Sequence, residues 1–187
     1  MNKVLYIILI SFFSLTIISC AKKSDTSSTT SSGLFVAVGN SGTLLTSSDG
    51  TSWTSSTSGS SEILWNIFYE NSTFVSVGAS GTILTSSDGT TWTSRTSGTT
   101  EGLFGITYGN GTFVVVGDND SGSGTILTSS DGITWTPRTS GTTNDLWDVN
   151  YGNNTFVASD STGGIITSSD GISWTSRVGI DTYGIWG

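Results

Sequence analysis

The chain has 187 residues, with fourteen Asp or Glu against six Lys or Arg and a net charge of −8. So thin a basic content excludes an extended nucleic-acid interface, because phosphate neutralisation needs clustered Lys and Arg. Histidine is absent and cysteine occurs once, which removes most imidazole-based hydrolase and zinc mechanisms and any disulfide within the chain.

The N-terminus, "MNKVLYIILISFFSLTIISCAKK", sets Lys3 before an apolar run from Val4 to Ile18. That run is too short for a spanning helix and predicts an export signal over residues 1–19. Ile17-Ile18-Ser19-Cys20 resembles the bacterial lipobox. The resemblance implies that Cys20 is lipidated, becomes the new N-terminus and anchors the protein to a membrane of the cell envelope, at the outer membrane or cell surface. Acyl chains contributing about 0.8 kcal/mol per buried methylene would hold it there without a spanning helix. Residues 20–32, "CAKKSDTSSTTSS", are polar without apolar periodicity and predict a flexible tether.

Residues 33–187 suffice for one domain of ordinary size and are written in one repeated phrase. "GTILTSSDGTTWTSRTSGTT" at 81–100 returns at 124–143 with two changes, and the aspartates of "SSDG" fall at 49, 88, 131 and 170, at intervals of 39, 43 and 39 residues. Four extra residues in "GDNDSGSGT" (117–125) account for the longer interval. A period near 40 without helical periodicity predicts an all-β fold, a β-propeller with one blade per repeat. Within a period, "ILWNIFY" (63–69) reads as strand A, "TFVSVG" (73–78) as B, "GTILTSS" (81–87) as C and "TTWTSRT" (90–96) as D.

Asp-Gly between C and D is a tight-turn signal, since Gly accepts positive φ and Asp bonds to nearby amides. The Trp four residues on is expected to wedge into the blade, burying on the order of 200 Å². The four corners are Ser47, Asp49, Gly50 and Trp53; Ser86, Asp88, Gly89 and Trp92; Ser129, Asp131, Gly132 and Trp135; and Ser168, Asp170, Gly171 and Trp174. This order resembles the Asp-box, or bacterial neuraminidase repeat, of sialidases, some glycoside hydrolases, sortilin-type receptors and photosystem assembly propellers. The family usually spaces Asp and Gly by one residue, whereas Asp49 and Gly50 are adjacent, so its hydrogen-bond pattern need not transfer in detail. The resemblance implies a structural role for the motif and no catalytic one.

Sixteen residues after each Asp lie Trp65, Phe104, Trp147 and Trp186, and the chain stops one residue after the last. Repeat "LFVAVG" (34–39) is a strand B, so the sequence reads as starting in B and ending inside A. Two architectures follow: four blades with one split between the chain ends and closed by Ile185 and Trp186, or an incomplete arc that self-associates through exposed apolar faces.

Loops A–B and C–D share one end of the blades, and loops B–C and D–A share the other. The B–C loops vary most and collect acids, Asp118, Asp120 and Asp160, beside Glu62, Glu101, Asp145 and Asp181 of the D–A connections. This end is the expected binding face. Asp118 and Asp120 are the candidate metal ligands, of a composition calcium accepts; no other cofactor is expected. Arg95, Arg138 and Arg177 match a sialidase's three arginines in number, but their common position at the end of strand D predicts a scattered rim. An enzyme is therefore not expected. The aromatics at the start of strand A read either as inter-blade packing or as a platform for sugar rings. The function predicted is a membrane-anchored, non-catalytic scaffold for a protein or carbohydrate ligand. Its competitors are a glycosidase-like remnant, a photosystem-type assembly factor and a truncated product without function.

Overall fold

The computed structural model describes residues 17–23, 33–118, 120 and 122–177. Most of the signal, the tether from residue 24 on, Asp181, Ile185 and Trp186 lie outside the described residues. Among the described residues, sixteen strands form four antiparallel sheets, each a blade with its strands in chain order. Blade I comprises β1 (Ile17–Lys23), β2 (Leu34–Gly39), β3 (Thr43–Ser47) and β4 (Thr54–Thr57). Blade II comprises β5 (Leu64–Glu70), β6 (Thr73–Gly78), β7 (Ile83–Ser86) and β8 (Thr93–Arg95). Blade III comprises β9 (Leu103–Gly109), β10 (Thr112–Gly117), β11 (Thr125–Ser129) and β12 (Thr136–Thr139). Blade IV comprises β13 (Leu146–Gly152), β14 (Thr155–Asp160), β15 (Ile165–Ser168) and β16 (Thr175–Arg177). The fold is thus the all-β propeller arrangement that the period predicts. Among the described residues no helix is long and apolar enough to cross a membrane.

Alternation decides which way each blade faces. Phe74, Phe113 and Phe156 of the B strands are fully buried, as are Val75 and Val114 beside them, because both sides of an interior strand meet a neighbouring blade. Three apolar clusters result, one per junction. Val36, Val38 and Leu44 meet Leu64, Ile67, Phe74 and Leu84 between blades I and II. Val75, Val77 and Ile83 meet Leu103, Ile106, Phe113 and Leu127 between II and III. Val114, Val116 and Ile126 meet Leu146, Val149, Phe156 and Ile166 between III and IV. Each fully buried side chain of this size contributes about 1.5–3 kcal/mol of transfer free energy. The A strands pack in a row, β1 on β5, β5 on β9 and β9 on β13. β9 and β13 approach so closely that a Cβ on Gly105 would lie 2.9 Å from the Asp148 Cα.

The first blade departs from expectation. Its strand A is supplied by β1, drawn from the residues assigned to the signal's end and the tether. Cys20 pairs with Ala37 as Ile67 pairs with Ser76, which puts β1 in the repeat's own register. The slot asks little of its side chains: Ser19 and Ala21 are small enough to be buried there, and Ser19 Oγ donates to Asn66 Oδ1 of β5 at 2.9 Å. Every blade described here is contiguous in sequence, and the strand-A place expected for Ile185 and Trp186 is held by β1.

Candidate functional site

The four Asp-Gly corners have one geometry. In blade III the buried Ser129 Oγ donates to Asp131 Oδ1 at 2.9 Å and accepts the Asp131 and Gly132 amides at 3.3 and 2.8 Å. Asp131 Oδ1 accepts the amides of Ile133 and Thr134 at 2.8 and 2.9 Å, and Trp135 Nε1 donates to the Gly132 carbonyl at 3.1 Å. Ser47, Asp49, Gly50 and Trp53 repeat this set. So do Ser86, Asp88, Gly89 and Trp92, and Ser168, Asp170, Gly171 and Trp174. The adjacency of Asp and Gly therefore still yields a complete corner. Amides of the third and second residues after each Asp hold the four carboxyls below the ordinary aspartate range, with the serine hydroxyl adding to the effect. Each carboxylate serves its own turn, in a separate blade.

A second hydroxyl corner escaped the sequence reading. In the D–A connections Ser58, Ser97 and Ser140 are buried, and each Oγ donates to the carbonyl two residues on at 3.1–3.2 Å. The signal was the repeated "TSG", which carries no charge or ring to draw attention.

The opposite end of the blades is built differently. At the start of β5, β9 and β13 the ladder with strand B slips by one residue, the register passing over Trp65, Phe104 and Trp147. A bulge of this kind re-aims its side chain. The three half-buried rings form a row, Trp65 on Phe104 at 4.7 Å with planes 60° apart and Phe104 on Trp147 at 4.9 Å and 21°. The packing reading is thus realised: the rings lie on one another across the blades, each still half-buried. Trp186, the fourth of the series, lies outside the described residues.

The acids of the same loops are disposed unequally. Glu62 accepts a hydrogen bond from Ser80 Oγ at 3.2 Å. Glu101, Asp118 and Asp120 bring carboxylate oxygens within 4.8 Å of one another, an oxygen set that provides part of what calcium takes. Glu101 was not anticipated as the companion of Asp118 and Asp120. Asp145 is half-buried, and its carbonyl accepts the Ser161 amide at 2.9 Å. Asp160 is a correction: it is buried, its Oδ1 accepting the Thr162 and Gly164 amides at 2.9 and 2.7 Å and its Oδ2 accepting from Asn144 Nδ2 at 2.9 Å. Burial pushes its carboxyl up, but the bonds from Asn144, Thr162 and Gly164 outweigh this and hold it below the ordinary range. It shapes its loop. Asp148, by contrast, is a carboxyl that burial pushes up, with Asn150 Nδ2 donating to it at 2.8 Å.

Arg95, Arg138 and Arg177 each donate Nε to a threonine of the adjacent strand C, Thr85, Thr128 and Thr167, at 2.8–2.9 Å. They are pinned one per blade and make no cluster. The hollows beside the B–C loops, about 640 Å³ at Ser80–Thr82 and Arg95–Thr100 and about 360 Å³ at Ser41–Leu45 and Ser55–Ser60, occupy matching repeat positions. Their lining is mostly hydroxyl and backbone, so they follow from blade geometry.

No family model matches this chain, and no curated protein sequence matches it. Solved structures do. YCF48 bound to D1 peptide aligns with a TM-score of 0.59 at 16% identity over 89% of this chain and 54% of its own. YCF48 from Cyanidioschyzon merolae aligns with a TM-score of 0.51 at 14% identity over 76% and 55%. The GH74 enzyme of Niastella koreensis aligns with a TM-score of 0.53 at 22% identity over 80% of this chain and 23% of that one. The chain spans about half the length of the YCF48 chains it matches, and at such identities the likeness shows the fold alone, that of β-propeller proteins.

Proposed function

We propose that the chain is a non-catalytic binding module that takes a cationic peptide segment of a partner protein across the end formed by its B–C and D–A loops. The observation that carries this reading is the row of bulged, half-buried rings Trp65, Phe104 and Trp147. Acids placed beside such rings favour Lys or Arg, which are drawn both to carboxylates and to ring faces. A propeller neighbour, YCF48, is bound to D1 peptide, which supports a peptide as ligand. Titrating the protein with an Arg-rich peptide and following tryptophan fluorescence tests it. Saturable quenching that weakens with salt and is lost in Phe104→Ala is expected; no quenching, or quenching indifferent to Phe104→Ala, contradicts it.

The lipid anchor at Cys20 belongs to the same reading. Cleavage before Cys20 would take Ile17–Ser19 from β1 and leave Cys20–Lys23 opposite Leu34–Ala37. Fatty-acid labelling that disappears in Cys20→Ser is the expected result, and unchanged labelling contradicts the anchor.

A further inference from the structure

We propose that two copies of the chain associate head to tail, the far face of blade IV of each docking on the far face of blade I of the other. The contact is one the molecule already makes three times. At every internal junction a strand-B valine carries the Asp-box glycine of the following blade. A Cβ on Gly89, Gly132 or Gly171 would lie 3.0, 3.3 or 3.0 Å from the Cγ2 of Val36, Val75 or Val114. The fourth members of both series are unmatched. Val157, in the same register as those valines, is 40% exposed where the others are fully buried. Among the described residues, a Cβ on Gly50 would meet within 4 Å only the Phe35 ring of its own blade.

The surroundings repeat the disparity. On blade I, Phe35 and Leu45 are half-exposed at the positions where Phe74, Phe113 and Phe156, and Leu84, Leu127 and Ile166, are buried. On blade IV, Ile165 is half-exposed where Leu44, Ile83 and Ile126 are buried. The accessible facing positions, Val157, Ser159 and Ile165 on one side and Phe35 and Leu45 on the other, carry no charge. Each chain thus presents both halves of a junction whose shape its own repeat has specified.

Such a contact is heterologous, and it stays finite only if the rotation closes. A closed pair is the assembly favoured here, because one chain spans 54% of the YCF48 chain it aligns with, so two copies supply about the length of one such propeller. The Val157 and Gly50 contact does not involve Cys20.

Sedimentation velocity of the full chain in non-ionic detergent, carrying Cys20→Ser so that acylation plays no part, reads the mass directly. The expected species has twice the 19.4 kDa chain mass. Val157→Glu and Leu45→Glu should each give single chains with an unchanged β-sheet circular dichroism spectrum, since both positions have solvent access in the isolated chain. Mixing those two variants should restore a pair, because each keeps the face the other has lost. A two-fold contact using one face twice would not recover on mixing, and that result would overturn the proposal. So would a single chain before substitution, an open series of larger species, or a pair indifferent to Val157→Glu. A single chain whose Val157→Cys thiol resists labelling would overturn it in favour of cover by residues 178–187.

Discussion

The two ends of the blades use the same kinds of residue for opposite purposes. At the C–D end the aspartates are surface-exposed, yet each is committed to amides of its own turn and backed by a buried serine, and the arrangement recurs in all four blades. At the B–C and D–A end, Glu101, Asp118 and Asp120 form the one such carboxylate group among the described residues, at the end of the blades that also carries the bulged aromatic row. Repetition marks the first as scaffold, and departure from repetition marks the second as the place where function can differ. Asp160 shows that the division is not by residue type, because an acid at the variable end can also be consumed by its loop.

The comparison breaks most visibly where a corner is tied to the core. Trp135 is 8% exposed and packs with the cluster of blades II and III, so Trp135→Ala should cost about 3–5 kcal/mol in urea unfolding. Ser129→Ala leaves the Asp131 and Gly132 amides without their buried acceptor and should cost about 1–3 kcal/mol.

A finer test uses pH, since the corner aspartates and Asp148 are displaced in opposite directions. The corner aspartates titrate lower in the fold than in the unfolded chain. Their contribution is complete above the ordinary value of about 3.9 and is lost as pH falls through the folded value. Asp148 is raised by burial, so the fold loses stability there as pH rises from the ordinary value through the raised one. Asp148→Asn should therefore raise the unfolding midpoint at pH 7 and leave it unchanged at pH 3; a loss at pH 7 would contradict the placement. The smallest effect is expected at the A–B turn of blade II, where Ser72 sits at φ 58°. Its counterpart in blade III is Gly111, and Ser72→Gly should stabilise by about 0.5–1 kcal/mol in the same assay.

Strands and corners were legible because their signals are local. Alternating β-branched and aromatic residues and an Asp-Gly pair mean much the same in any surroundings. The bulges at Trp65, Phe104 and Trp147 were hidden, since a bulge is a count of residues against a partner strand. β1 was hidden for a related reason. "SCAKK" has no apolar alternation, and its place depends on Ala21 and Ser19 being small enough for the slot beside β5. The loop role of Asp160 had a faint signal: it takes the place at the end of strand B where Gly39, Gly78 and Gly117 stand in the other blades.

The central claim is that the Asp-Gly corners hold the hairpins and that the exposed Asp120 of the other end does not. Urea unfolding of Asp131→Ala beside Asp120→Ala tests it most directly. The account predicts a clear fall in midpoint for Asp131→Ala and none for Asp120→Ala, and equal or reversed shifts would contradict it.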